Sequence, residues 1–328
     1  MKYSRQSLRS HLLLLLSSPL PALALSTPTT IFTLPGPVAP ASWFENLAVR
    51  PNGLILATRG DAPEIWQIDP ATGQGALLVS VAGAFNLTGI AEVMPPHRHP
   101  KHRSCAAETY VFGSAHIPAP LQVEPASAKV WTLQFPTTTT TGIPSVSLLA
   151  AMPTAGFING ITAWSRGRVL LSDTEAEAVY LMDVATGSYS TPLTGLAGIN
   201  GIKATTKPWL GYVYRADHAS QTLSRIPVDD DAVATGPAEV LAAGQAIDDF
   251  TIVVDGDGAG KAYIGAMFEN QVVEVGFGAA PSSGPGARRV VAENLSGTGT
   301  GLVTVVAFGR QAQDAGLFAS IVRLDPSE

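Results

Sequence analysis

One short phrase recurs along this chain and constrains its fold more than any other feature. Each copy begins with a short polar or acidic residue, often continues with glycine and then an aliphatic or aromatic residue, and opens an extended run of strand-forming residues. The copies are Glu45-Asn46-Leu47, Thr88-Gly89-Ile90, Asn159-Gly160-Ile161, Asn200-Gly201-Ile202, Asp248-Asp249-Phe250 and Thr300-Gly301-Leu302. They follow one another at intervals of 41 to 52 residues, apart from one interval of 71.

Repeats of this period, with about four short strands each, are typical of propeller blades, because a lone four-stranded sheet cannot bury both faces until neighbours pack on it. Helical periodicity is nearly absent. We therefore predict an all-β, six-bladed β-propeller of four-stranded antiparallel blades. The segment Thr30 to Leu34 is strand-like, and we expect it to complete the last blade beside Phe318 to Leu324, which would remove the open sheet edges.

The first 24 residues resemble a secretory signal peptide. Lys2, Arg5 and Arg9 precede the apolar run Leu12 to Leu16, and a small-residue cleavage pattern ends at Ala24. We predict cleavage near that residue, with 25–328 as a single propeller domain and a secreted or lumenal location. The apolar run is shorter than the ~20 residues that span a bilayer, so no membrane span is expected.

Two sequons accompany this leader. Asn86-Leu87-Thr88 and Asn294-Leu295-Ser296 fit passage through a eukaryotic secretory pathway, and Asn86 and Asn294 are the predicted glycosylation sites. The formal net charge is −6, and only 14% of the residues are charged. This balance is not that of a basic nucleic-acid binder, so we expect no nucleic-acid partner.

The repeat also predicts where a site lies. The innermost strand of each blade lines the central channel, so the residue that opens each phrase points toward one end of it. These residues are Glu45, Thr88, Asn159, Asn200, Asp248 and Thr300. The second strand of each blade returns to the same face, where we expect Arg59, His116, Asp173, Asp217, His218 and Phe268.

The chemistry of the first set allows two interpretations. Carboxylates and amide oxygens together make a hard oxygen site suited to Ca²⁺ or a related ion, which could polarise a carbonyl or activate water. Alternatively, these short polar residues cap turns and bond to local backbone. Both interpretations stay open on the residues alone.

The phrases at 158–161, 199–202 and 247–250, together with Glu45, resemble the regucalcin and gluconolactonase-like propellers over nearly all of the mature chain. The resemblance implies that Glu45, Asn200 and Asp248 hold a divalent cation, with Asn159 close by. Sugar-lactone hydrolases of this type tend to carry a basic residue two positions before the third-blade asparagine. This chain has Phe157 there.

Aromatic residues lie beside several predicted mouth positions, which suggests an apolar pocket suited to terpenoid or polyketide ligands rather than to sugars. Packing between blades is the alternative for each ring. The predicted substrate-binding residues are Phe157, Phe250, Phe268, Arg59, His116 and Asp217.

The leader, the length and the phrase from Glu45 to Gly53 also resemble secreted fungal hetero-Diels-Alderases of tropolone-sesquiterpenoid biosynthesis. The resemblance implies dehydration of a hydroxymethyl tropolone to a quinone methide, then cycloaddition onto an alkene of a humulene-type terpene, with no cation required. Glu45 or Asp248 would act as acid or base, and Asn159 and Asn200 would orient the tropolone oxygens. A divalent-metal-dependent lactonase and a non-catalytic small-molecule-binding propeller remain alternatives.

Overall fold

A computed structural model describes residues 30–35, 42–94, 107–118, 122–136, 142–205, 211–255, 258–266, 268–279 and 286–293, and the backbone of 303–308 and 317–321. The regular structure in these ranges is entirely β. They contain no helix of the length and apolar character needed to cross a membrane. The leader, Asn294 and the phrase at 300–302 lie outside the described residues.

Twenty of the strands form five four-stranded antiparallel sheets, each with its strands in chain order. The first sheet contains β1 (Phe44–Val49), β2 (Ile55–Arg59), β3 (Glu64–Asp69) and β4 (Gln74–Ser80). The second contains β5 (Asn86–Glu92), β6 (Thr109–Ala115), β7 (Lys129–Gln134) and β8 (Ser145–Ala151). The third is β9 (Ile158–Ser165), β10 (Arg168–Asp173), β11 (Ala178–Asp183), β12 (Tyr189–Leu193). The fourth contains β13 (Ile199–Thr205), β14 (Tyr212–Asp217), β15 (Thr222–Pro227) and β16 (Glu239–Ala243). The fifth contains β17 (Ile247–Val254), β18 (Gly260–Ala266), β19 (Gln271–Phe277) and β20 (Arg288–Ala292).

The propeller architecture is confirmed, but the prediction of six blades is wrong. The described residues form five four-stranded blades and one two-stranded sheet, in which β21 (Val303–Phe308) pairs with β22 (Leu317–Ile321). The first strands of consecutive blades are neighbours around a ring, and β21 lies between β17 and β1. A phrase with the right spacing therefore did not guarantee a complete blade.

The N-terminal segment does not close the ring in the expected way. Residues 30–35 form no strand, and the Phe32 ring centroid lies 6.3 Å from that of Phe44 and 5.8 Å from that of Trp66. The segment packs on the apolar cluster of the first blade instead of pairing with β22. Gly75 makes room for it, because a Cβ at that position would lie 2.6 Å from the Phe32 ring.

The core lies between the blades. Val111 and Val130 of the second blade pack with Ile161, Leu171 and Tyr180 of the third, and similar apolar clusters join the first blade to the second, the third to the fourth and the fourth to the fifth. Inner strands are largely buried for this reason: each blade covers its neighbours on two sides.

Every one of the five inner strands has a register irregularity at the recurring phrase. The shifts fall between Phe44 and Asn46, Leu87 and Ile90, Ile158 and Ile161, Ile199 and Ile202, and Ile247 and Phe250. A β-bulge breaks the strict alternation of side chains and re-aims the extra residue. The phrase is thus a bulge motif, and its polar residues leave the packed faces of the blade.

Candidate functional site

The structure brings three of the predicted site residues together. The side chain of Asn200, in the bulge of β13, hydrogen-bonds the carboxylate of Asp248 in the bulge of β17. Glu45, from β1, lies close enough to Asp248 for its charge to act on that carboxyl. Trp43 Nε1 donates a 2.6 Å hydrogen bond to Glu45 Oε2. Residues more than 150 positions apart in the chain therefore share one polar cluster in the channel.

The electrostatics of this cluster favour protonated carboxyls. Burial raises the pKa of Asp248 well above its usual range, and the nearby charges of Glu45 and Asp249 raise it further, against the opposing bond from Asn200. Burial likewise raises the pKa of Glu45; the Trp43 hydrogen bond opposes that rise and the Asp249 charge adds to it. Two carboxyls that hold protons to higher pH than usual are suited to acid–base chemistry.

The two asparagines differ in their bonding. The side-chain amide of Asn200 hydrogen-bonds Asp248. The Oδ1 of Asn200 is buried without a hydrogen-bond partner and is thus available to a ligand. Asn159 Nδ2 donates to Thr174 Oγ1 at 3.2 Å, and that hydroxyl donates to the carbonyl of Ile199 at 2.7 Å. Asn159 is thereby linked to the blade of Asn200.

Three residues to which sequence reasoning assigned no role adjoin this cluster: Asn46 follows Glu45, Asp249 follows Asp248, and Lys203 pairs with Asp249. Asp249 is buried and accepts bonds from Lys203 Nζ at 2.7 and 2.9 Å and from Asn46 Nδ2 at 3.0 Å. Asn46 and Asp249 occupy the phrase position that is glycine in the other described copies. That departure from the repeat is the sequence signal that could have identified them.

Arg59 and His116 lie at the predicted ends of their second strands but are already paired. Arg59 bonds Asp61 and, at 2.7 Å, Glu64. His116 Nδ1 pairs with Glu124. Phe85 stacks on the His116 ring with 4.0 Å between centroids and is itself exposed. Both predicted residues are therefore held by protein partners at the rim of the channel.

Asp217 and its counterpart Asp173 are buried and bonded to local backbone. Asp173 accepts from the amides of Gly156 and Phe157 at 2.9 Å each. Asp217 accepts from the Ser220 amide at 2.8 Å. This is the turn-capping behaviour that short acidic side chains show generally, so the geometry does not support a substrate contact for Asp217.

The three predicted aromatic contacts have different environments. Phe250 is fully buried in the apolar cluster of the fourth and fifth blades, which corrects the expectation that its ring lines the mouth. Phe157 is partly buried. Phe268 is 62% exposed, and its ring meets that of His218 edge-on with 6.1 Å between centroids. Of the three, Phe268 presents the most surface to a ligand.

The first predicted glycosylation site is enclosed. Asn86 Nδ2, the atom to which a glycan would attach, donates to the Gly60 carbonyl at 2.7 Å, and Oδ1 accepts from the Ile117 amide at 2.9 Å. Attachment to the folded chain would break the first bond, so the geometry disfavours it. Asn294 lies outside the described residues.

The donor set suits a hard cation in its chemistry, because Glu45 and Asp248 supply carboxylates and Asn200 supplies a free amide oxygen. The described part of the chain nevertheless contains no group of three or more His, Cys, Asp or Glu side chains arranged to hold a metal. The cluster of Glu45, Asn200 and Asp248 is hereafter called the carboxylate–amide cup.

Fold and site together define a β-propeller with a buried polar cup in its channel. No protein-family model matches the chain. The chain is 24% identical over 234 residues to a Phoma sp. protein described as a "Putative hetero-Diels-Alderase", a match that covers 60% of this chain and 61% of the relative. The chain thus spans about three fifths of that curated relative's length, and the resemblance noted in the sequence is confirmed.

Solved structures share the fold at low identity. The Malassezia sympodialis allergen Mala s 1 has a TM-score of 0.55 at 11% identity, covering 84% of this chain and 86% of its own. Regucalcin of Agrobacterium tumefaciens, a calcium-binding protein, has a TM-score of 0.53 at 18% identity, covering 84% and 81%. A luciferin-regenerating enzyme has 0.54 at 11% identity, covering 86% and 92%. At such identities these structures establish the fold and no activity.

Proposed function

We propose that this protein is a hetero-Diels-Alderase that joins a tropolone quinone methide to a humulene-type sesquiterpene. The observation that carries the proposal is the match to the Phoma sp. relative, which covers 60% of this chain. The burial of Asn200 and Asp248 and the exposure of Phe268 support it, since apolar partners need a water-poor site with few polar groups.

The mechanism assigns a proton role to each carboxyl. Asp248 in its acid form protonates the hydroxyl of a hydroxymethyl tropolone, and Glu45 as carboxylate accepts the proton of the ring hydroxyl. Water leaves, and the tropolone becomes the quinone methide. The raised pKa of Asp248, caused first by burial, retains the proton that the first step needs. The proton count of the pair is unchanged overall, and one transfer from Glu45 to Asp248 restores the starting state.

The cycloaddition requires the protein to position the two substrates rather than to supply charge. New C–C and C–O bonds form between the quinone methide and a terpene alkene, and no proton moves. The amide N–H groups of Asn159 and Asn200 orient the tropolone oxygens, and the free Oδ1 of Asn200 accepts from a substrate hydroxyl. An enclosed cup also slows the addition of water to the electrophile.

The test is a product assay with the hydroxymethyl tropolone and a humulene alcohol, with and without chelator. We expect faster and selective formation of the adduct that ignores the chelator. The double variant Asn200→Ala/Asp248→Ala should lose turnover while its circular dichroism spectrum is kept. Asp231→Ala, which removes a carboxylate that is 76% exposed, is the matched control. Unchanged rate and regioselectivity in the double variant would remove the cup from the mechanism.

A metal-dependent lactonase is the second candidate, and the free Oδ1 of Asn200 beside two carboxylates is the observation that favours it. Glu45, Asn200 and Asp248 would hold the cation, which would supply polarisation of a lactone carbonyl. Lactone opening that chelator abolishes would establish this activity in place of the cyclase. Ligand retention without turnover of either substrate would indicate the third alternative, a binding propeller.

The leader supports a further part of the proposal, namely cleavage near Ala24 and secretion. N-terminal sequencing of the protein recovered from culture medium tests both. Recovery only inside cells, with Met1 retained, would contradict them.

A further inference from the structure

We propose that Asn46 and Asp249, with Lys203, form a strut between the first and fifth blades that sets the separation of Glu45 and Asp248. The inference rests on the proposed function only in treating Glu45 and Asp248 as the acid–base pair. The strut itself is a structural claim about three residues to which that function gives no role.

The residues that follow Glu45 and Asp248 in the sequence are joined by a hydrogen bond. Asn46 follows Glu45 in β1, and Asp249 follows Asp248 in β17. Asn46 Nδ2 donates to Asp249 Oδ2 at 3.0 Å between residues that are both buried. One hydrogen bond thus joins the backbone beside one carboxyl to the backbone beside the other.

The strut is anchored at both ends. Asp249 Oδ1 accepts from the Phe250 amide at 2.7 Å and from Lys203 Nζ at 2.7 Å, while Oδ2 accepts from Lys203 at 2.9 Å as well as from Asn46. Asn46 Oδ1 accepts from the Leu47 amide at 2.9 Å. Charge-assisted bonds of this kind are stronger than neutral ones, and neither side chain is left free to rotate.

The repeat shows that this arrangement is specific to two blades. Gly89, Gly160 and Gly201 occupy the equivalent position in the second, third and fourth blades. A Cβ at Gly201 would lie 2.8 Å from Asp248 O and from Asp249 Cα, so glycine there leaves room for the strut. Only Asn46 and Asp249, among the described copies, carry side chains at the position, and those two side chains bond each other.

The location explains why a strut is needed. The first and fifth blades are not direct neighbours, because the two-stranded sheet of β21 and β22 lies between β17 and β1. The strut adds a direct side-chain link between these two blades, and a displacement near 1 Å can cost on the order of 100-fold in rate.

The experiment combines unfolding, crystallography and kinetics on the full chain. Asn46→Ala, Asp249→Ala and their double variant are compared, with Asp231→Ala as the control for loss of an exposed carboxylate. If the strut exists, the double variant loses clearly less thermal midpoint than the sum of the two single losses, because each single variant already breaks the shared bond. Additive losses of midpoint would overturn it, whatever reaction the protein catalyses.

Positioning is read from two further measurements. Crystal structures should show a changed distance between the Glu45 and Asp248 carboxyls in Asn46→Ala and the wild-type distance in Asp231→Ala. With the hydroxymethyl tropolone and humulene alcohol, Asn46→Ala should lower kcat roughly 10- to 100-fold with KM within about threefold, while Asp231→Ala should keep the wild-type kcat. An unchanged distance or an unchanged kcat in Asn46→Ala would refute positioning. Absence of adduct with the wild-type protein would refute the proposed function alone.

Discussion

Gly160→Ala tests the bulge motif and the site at once. Gly160 follows Asn159 in β9, and a Cβ added there would lie 2.9 Å from the backbone nitrogen of Ile202, 2.9 Å from Ser172 Oγ and 3.2 Å from the carbonyl oxygen of Asn200. Ordinary contact begins near 3.4 Å. About 0.5 Å of overlap must be relieved against the inner strand of the next blade, which carries the cup residue Asn200.

The structure offers two ways to relieve the overlap, and both are costly. Ser172 Oγ accepts from the Gly160 amide at 2.9 Å and donates to the Asn200 carbonyl at 2.5 Å, and the residue is fully buried. Rotating it away breaks two hydrogen bonds worth about 1 kcal/mol each. Moving the β13 backbone instead strains a packed core at about 1–3 kcal/mol. We expect a loss of about 2 kcal/mol, which lowers the thermal midpoint by roughly 4–8 °C.

Gly276→Ala is the matched control. Gly276 also lies in a strand, β19, but an added Cβ meets nothing within 4 Å. This variant should be as stable as wild type or more stable by up to ~1 kcal/mol, because alanine loses less backbone entropy on folding. Urea and thermal unfolding of both variants, followed by circular dichroism, measure the difference. Equal midpoints for the two variants would refute the argument that glycine is needed for close approach of the blades.

Three further predictions concern charge, burial and ligand contact. Asp248→Asn should raise the free energy of unfolding near neutral pH. Because the pKa of Asp248 is raised in the folded state, the stability of the wild-type protein falls as pH rises from about 4 through that pKa. Urea titrations in the presence of chelator should therefore show that the gain from Asp248→Asn vanishes toward about pH 4. Arg50→Met should cost about 3–5 kcal/mol in the same assay, since it leaves the partly buried Glu108 without two 2.9 Å bonds from the buried Arg50 guanidinium, whereas a cost below ~1 kcal/mol would show the pair to be dispensable. Phe268→Ala should raise KM for the humulene alcohol several-fold while the thermal midpoint stays within about 1 °C, because the ring is exposed; an unchanged KM would exclude this contact.

The strand pattern could be predicted from the chain because it is encoded locally. The phrases beginning at Glu45, Thr88, Asn159, Asn200 and Asp248 all lie in inner strands, and the register Ile158 with Asp173 and Ile199 with Asp217 returns each second strand to the same face. Such features depend on alternation of apolar residues and on turn residues within a few positions.

The composition of the cup was predictable, and its bonding was not. Repeat-equivalent positions indicated Glu45, Asn200 and Asp248, because propeller geometry brings such positions to one axis. No neighbouring residue in the sequence indicated that Asp249 would hydrogen-bond Asn46, some 200 residues away, or that Phe250 would be buried in the core. The partners of a polar side chain depend on which blade lies opposite, and this is decided only when the ring closes.

The sequence by itself determined the all-β class, the positions of most strands and the polar residues that open each one, since these follow from short-range periodicity and spacing. Only the tertiary structure decided that five blades are complete, that a two-stranded sheet lies between β17 and β1, and that residues 30–35 pack on the first blade. The number of full sheets depends on long-range packing between faces. That packing also buries Asp248 beside Glu45 and so raises its pKa, a property that no residue carries alone.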